Sequence, residues 1–136
     1  MIHPICRDTL FLAKKSLPAT KADLSIAQDL LDTLRANAEH CVGMAANMIG
    51  VHKRIIVVSA GPMNFAMLNP RIVKKSGPYE TEEGCLSLPG ERHTTRYEHI
   101  EVEFMDMTWQ KRRQNYSGYV AQIIQHEIDH CDGILI

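Results

Sequence analysis

At 136 residues, with 45% hydrophobic and 23% charged residues and a formal net charge of −1, the chain has the length and makeup of one globular domain covering residues 1–136. That charge balance gives no general attraction to nucleic acid or to an anionic membrane, and no apolar run reaches the roughly 18–20 residues needed to cross a bilayer. The N-terminal residues lack the basic and then apolar pattern of a secretory signal, so the expected location is the cytoplasm. Four scattered cysteines (Cys6, Cys41, Cys85 and Cys131) with no C-x-x-C give no reason there to expect disulfides.

Residues 1–20 read as irregular, broken by Pro4 and Pro18. Asp23 is placed to cap a helix running to about Ala38, with Leu24, Ala27, Leu30, Leu31 and Leu34 forming an apolar stripe. Residues 41–50 are a small-residue segment, read as extended. Arg54–Ser59 is a β-branched run and predicts a buried strand. Phe65–Asn69 and Ile72–Lys75 predict short strands split by Pro70, and Glu82–Leu88 an extended stretch closed by Pro89 and Gly90. Alternation of Ile100, Val102 and Phe104 with Glu101 and Glu103 predicts a half-buried strand over His99–Met107. Residues 109–115 read as a polar turn with an edge strand. A helix is then predicted from Gly118 to about Cys131, ended by Asp132 and Gly133. This order argues for an α+β fold: mainly antiparallel short strands packed around a C-terminal metal-binding helix, with one N-terminal helix.

The chemistry is concentrated in that last helix, in His126-Glu127-Ile128-Asp129-His130. Residues i and i+4 differ by about 40° around a helix, so two imidazoles one turn apart can grip one ion. The intervening Glu127 sits at their flank as a proton carrier. A surface helix with two solvated histidines is the alternative, disfavoured because Val120, Ile123, Ile124 and Ile128 make the helix apolar on several sides. A catalytic site needs a third protein ligand, and before the sequence ends at Ile136 no third histidine follows at the near downstream spacing and no acidic residue at long range. Upstream, Glu83-Gly84-Cys85-Leu86-Ser87 offers a thiol. A general zincin endopeptidase would share the helix but leave Cys85 unexplained.

Three segments together resemble the peptide deformylase family: Glu83-Gly84-Cys85-Leu86-Ser87 matches its E-G-C-L-S, Gln125-His126-Glu127-Ile128-Asp129-His130 its Q-H-E-x-D-H, and Gly43-Met44-Ala45-Ala46-Asn47-Met48 its G-L-A-A-x-Q. Leu68-Asn69-Pro70 fits the family's L-I-N-P strand, and Arg92 falls where the family has an arginine that helps position the site. The resemblance covers nearly the whole chain. It implies that Cys85, His126 and His130 hold one divalent metal, Fe(II) natively or Zn, Ni or Co in preparations. It also implies that Glu127 is the proton carrier, that the Leu86 N–H stabilises the oxyanion, and that the substrates are N-formyl-methionyl peptides. The substrate-binding set is Gly43, Met48, Tyr119, Gln122 and Ile123.

The chain departs from the family in four places. Met48 stands where the family has the Gln that donates to the oxyanion, and a thioether donates nothing. Loss of one such donor costs on the order of 10²–10³ in kcat elsewhere, so the alternative is an impaired paralogue that binds metal and peptide without efficient turnover. Asn47 could replace the Gln only if the backbone is locally re-aimed. Gln122 brings an amide to a pocket that is apolar in the family, and Cys41 replaces the first glycine of G-x-G. The sequence ends six residues after His130, where typical bacterial members continue into a helix that helps dock on the ribosome, so docking by that route is not expected.

Overall fold

The computed structural model describes residues 1–136. Its elements are α1 (Thr9–Leu12), a 3-10 turn (Lys21–Asp23), α2 (Leu24–Ala36), β1 (Gly43–Ala45), a second 3-10 turn (Ala46–Ile49), β2 (Ile55–Ala60), β3 (Met63–Cys85), β4 (Leu88–Met105), β5 (Lys111–Ser117) and α3 (Gly118–Cys131). The strands form one antiparallel sheet in the order β1-β2-β3-β4-β5, so each strand pairs with its neighbour in sequence. No helix is long and apolar enough to cross a membrane.

The run Ile55-Ile56-Val57-Val58 is buried throughout because helices cover both faces of this part of the sheet. Alternate side chains of a strand point to opposite faces. Ile55 and Val57 join Met44, Leu68 and the α2 stripe of Ala27, Leu30 and Leu34 in one core. Ile56 and Val58 join Ala45, Met67, Ile100, Val102 and Phe104 beneath Ala121, Ile124 and Ile128 of α3 in the other. The helix bearing the histidines is therefore pressed against the sheet, not laid on its surface.

Several predicted boundaries move. The short strands at 65–69 and 72–75 belong to the single long β3, as do residues 82–85 of the predicted 82–88 stretch. Pro70, which cannot donate to the ladder, falls where the β3–β4 register shifts between Leu68 and Arg71, so the break is a bulge within the strand. Asn69 sits there at φ 53°, and its side chain exchanges two hydrogen bonds with the main chain of Ala19 at 2.7 and 2.9 Å. Strand β4 begins at Leu88, eleven residues before the predicted His99, and the chain turns at Leu86 and Ser87 instead of closing on Pro89 and Gly90. Asp23 holds the N-cap position of α2 as expected but makes no side-chain cap bond to it: its carboxylate accepts the Thr20 N–H at 2.7 Å and closes the preceding 3-10 turn, and α2 ends at Ala36. Residues 1–20 contain the short α1, capped by Asp8, whose carboxylate accepts the Leu10 and Phe11 N–H groups. Residues 46–49 are a 3-10 turn closed by Gly50 at φ 85°, not an extended segment.

Candidate metal centre

Helix α3 carries His126 and His130 one turn apart, both buried, with their Nε2 atoms 3.1 Å apart. Cys85 ends β3 at the mouth of the Leu86–Ser87 turn. Its Sγ and the two imidazole nitrogens all lie within 4.8 Å of one another. Glu83, two residues before Cys85, shares its face of the strand. It accepts a hydrogen bond from His126 Nδ1 at 2.8 Å, which leaves the His126 Nε2 lone pair free for an ion.

Glu83 is itself held from other sides. The Arg96 guanidinium donates Nε to Oε2 at 2.9 Å and Nη2 to Oε1 at 2.7 Å, and Gln122 Nε2 donates to Oε2 at 2.9 Å. Arg96 also reaches back to α3, with Nη1 2.6 Å from Asp129 Oδ2. Burial works to raise the Glu83 pKa, but the hydrogen bonds from His126, Arg96 and Gln122 win and hold it at about 2. Gln125 fastens the same helix to β4, accepting the Tyr97 N–H and donating to the Tyr97 carbonyl, each at 2.8 Å.

The electrostatics favour positive charge among the three donors. Burial pulls the His126 pKa down, but its hydrogen bond to Cys85 and the nearby Glu127 and Glu83 carboxylates hold it up at about 10. Burial and the charge on His126 push His130 down to about 3, so its imidazole is neutral and ready to coordinate. A bound cation satisfies the same field that otherwise retains a proton on His126. One thiolate with two imidazoles suits Zn, Fe(II), Ni or Co, and not Mg or Ca, which take oxygen ligands. The residues present therefore fit a transition-metal ion.

Glu127 is buried against Gly43 of β1: a Cβ added at Gly43 would stand 3.0 Å from Glu127 Oε2 and 2.6 Å from Ile123 Cγ2. Its Oε1 has no hydrogen-bond partner. Burial raises its pKa to about 7, where a carboxyl can both take and give a proton near neutrality.

A cavity of about 740 Å³ opens beside this cluster. Its wall includes Gly43, Cys85, Leu86, Tyr119, Gln122, Ile123, His126 and Glu127. Tyr119 is at the mouth, 63% exposed. Cys41 is also on the wall, its thiol donating to the Gly43 carbonyl at 2.9 Å and its pKa pushed up to about 12 by burial and Glu127.

Met48 does not reach this wall. It is sealed in the α2-side core, with its sulfur accepting the Ala45 N–H at 3.4 Å. Asn47 does not replace the missing amide, because its Nδ2 is bonded to the His130 carbonyl at 2.9 Å. Gln122 lines the cavity with its donor turned away to Glu83. Arg92 is half-buried on the hairpin and donates to the Pro89 carbonyl, not to Glu83, so the arginine that braces the site is Arg96. Sequence reasoning missed Arg96, although alternation carried back from Phe104, Val102 and Ile100 puts residue 96 on the inward face.

A family model described as polypeptide deformylase matches residues 4–136. A peptide deformylase of Clostridium beijerinckii is 59% identical over 136 residues, covering 100% of both chains. One from Symbiobacterium thermophilum is 43% identical over 132 residues, 91% of this chain and 59% of its own. Among solved structures, a peptide deformylase from Thermus thermophilus superposes with a TM-score of 0.87 at 35% identity, covering 98% of this chain and 83% of its own. A class I type b peptide deformylase from Acinetobacter baumannii, solved with Met-Ala-Ser bound, gives 0.88 at 28% identity, covering 99% of this chain and 97% of its own.

Proposed function

Because the chain belongs to the peptide deformylase family, we propose that Cys85, His126 and His130 hold its single metal ion, Fe(II) in the native protein, and that Glu127 carries the proton. The activity is that of the family: a metal-dependent hydrolase that removes the formyl group from the N-terminal methionine of newly made peptides. The observation behind the ligand assignment is the convergence of one sulfur and two nitrogens within 4.8 Å beside a buried carboxylate whose Oε1 has no partner.

When bound, the ion lowers the pKa of water from 15.7 toward about 7 and polarises the carbonyl under attack. The Glu127 carboxylate takes the proton of the attacking water and passes it to the departing amine nitrogen, so one carboxyl serves as base and then as acid. Main-chain N–H donation from Leu86, next to Cys85 on the cavity wall, stabilises the oxygen that becomes negative. Glu83 keeps the His126 ring oriented through Nδ1. The methionine side chain lies between Gly43 and the α3 residues Tyr119, Gln122 and Ile123. The peptide beyond it leaves by the open mouth; the Acinetobacter relative was solved with Met-Ala-Ser bound.

The test is metal analysis together with formyl-Met peptide turnover on anaerobically prepared protein. Cys85→Ala should lose the ion, and Glu127→Ala should keep it and lose turnover. Unchanged metal content in Cys85→Ala, or full turnover in Glu127→Ala, refutes the corresponding role.

A further inference from the structure

Asn47 is fully buried in the short turn Ala46–Ile49 that follows β1. Its Nδ2 donates to the main-chain carbonyl of His130 at 2.9 Å and stands 3.5 Å from that of Leu12. His130 is the next-to-last residue of α3. The final carbonyls of a helix lack i+4 partners within it, and beyond the local turn bond from the Gly133 N–H to the His130 carbonyl at 3.1 Å the end of α3 is held by three contacts from distant parts of the chain. Here the Ser16 N–H bonds the Cys131 carbonyl at 2.8 Å and Arg54 Nη1 bonds the Asp132 carboxylate at 2.7 Å. Of these three contacts, only that of Asn47 falls on a residue assigned to the ion.

The two histidines are fixed differently. His126 is oriented through its ring by Glu83. His130 Nδ1 makes no well-formed hydrogen bond, with only the Ile136 main chain near it. Its imidazole is therefore located by packing and by the position of its own backbone. Asn47 Oδ1, meanwhile, is buried without a partner. An orphaned acceptor is destabilising, and a leucine of similar size would carry none. Packing alone thus accounts poorly for an amide at this place, whereas the His130 carbonyl accounts for its donor.

We propose that Asn47 is a positioning residue for the metal centre. It pins the last turn of α3 to the turn after β1, and so sets where the His130 imidazole meets His126 and Cys85. This rests on the ligand assignment above. The test uses Co(II), whose visible absorption reports thiolate ligation and geometry, on the parent and on Asn47→Leu, Asn47→Ala and Cys85→Ser. Affinity is measured by chelator competition, and folding by thermal melts of the metal-free proteins. Asn47→Leu should melt close to the parent, yet bind Co(II) about tenfold more weakly, the low end of what altered support of a metal ligand does, and with a shifted absorption band. If Asn47→Leu does not fold, Asn47→Ala is read in the same way. Parent affinity and parent spectrum in either folded variant overturn the proposal, including where the melt has dropped. Parent-like binding by Cys85→Ser would instead overturn the ligand assignment, a result the Asn47 variants do not affect.

Discussion

Replacing Arg96 with leucine should be the most damaging single change near the site. Arg96 is 3% exposed and lies between two carboxylates, and Glu83 is itself 7% exposed. Without the guanidinium, Glu83 keeps only His126 and Gln122 as partners. Breaking a buried ion pair from one side costs about 3–5 kcal/mol, whereas an exposed pair is worth about 0–1. Asp129, with 23% of its side chain exposed, can turn to water, so nearly all of the loss belongs to Glu83. For a domain of this size about 4 °C is lost per kcal/mol, so the melting temperature of the metal-free protein should fall by about 12–20 °C. Arg96→Lys keeps a charge but cannot span both carboxylates, and should fall between. Chelator competition with Zn should show metal affinity down by about 10–100-fold in Arg96→Leu, because a Glu83 free to swing no longer fixes the His126 ring. A melt within about 1 kcal/mol of the parent would refute the reasoning, since such a loss is what an exposed pair gives.

Gly43→Ala puts a methyl group 2.6 Å from Ile123 Cγ2 and 3.0 Å from Glu127 Oε2. It should destabilise by about 1–3 kcal/mol and lower kcat while metal content stays intact, as thermal melts, turnover and metal analysis would read. An Fe(II) form should lose activity in air faster than Ni or Co forms, because the ion and the Cys85 thiolate are both oxidisable; equal half-lives would count against Cys85 as a ligand. Met48→Gln should raise kcat for formyl-Met peptides, by less than the roughly 10²–10³ that such a donor is worth elsewhere, because Met48 now sits in the core and the surrounding backbone is not arranged to aim an amide. A gain confined to KM would assign Met48 to ground-state binding.

The parts of the site legible in the sequence are those written at helical spacing. His126, Glu127 and His130 lie within five residues, and helix geometry alone brings the two imidazoles together. Cys85 and Leu86 were reached through the match of a short segment. Less legible were contacts that depend on how β3 and β4 align. Arg96 faces Tyr79 in the register, yet its guanidinium reaches four residues along β3 to Glu83, a relation no local pattern encodes. Arg92, directly across from Glu83 in that register, bonds the Pro89 carbonyl instead. Pro70 misled in a similar way, because a proline that ends an isolated strand can sit at a bulge inside a long one. The extended reading of residues 46–49 hid Asn47: only the 3-10 turn carries its amide under the end of α3.

These placements bear on the oxyanion. Three side chains near the centre are candidates to supply the donor that the family draws from a glutamine, and each is engaged elsewhere. The Met48 sulfur accepts a main-chain N–H, the Asn47 amide holds the His130 carbonyl, and the Gln122 amide holds Glu83. What remains is the ion and the Leu86 N–H. Glu127 has an environment suited to the role proposed for it, with Oε1 unpartnered in a buried site beside the three donors. A metal centre that served only folding would have no use for such a carboxylate, and leaving it there opposes stability. Any shortfall from the missing donor therefore belongs to kcat, because the oxyanion is formed only as the transition state is approached, whereas the cavity proposed to receive the methionine is open and lined on both sides. The measurement that separates the two is a comparison of kcat and KM with those of a relative that carries the glutamine. A shortfall in KM alone would move the defect from the oxyanion to the pocket around Gln122.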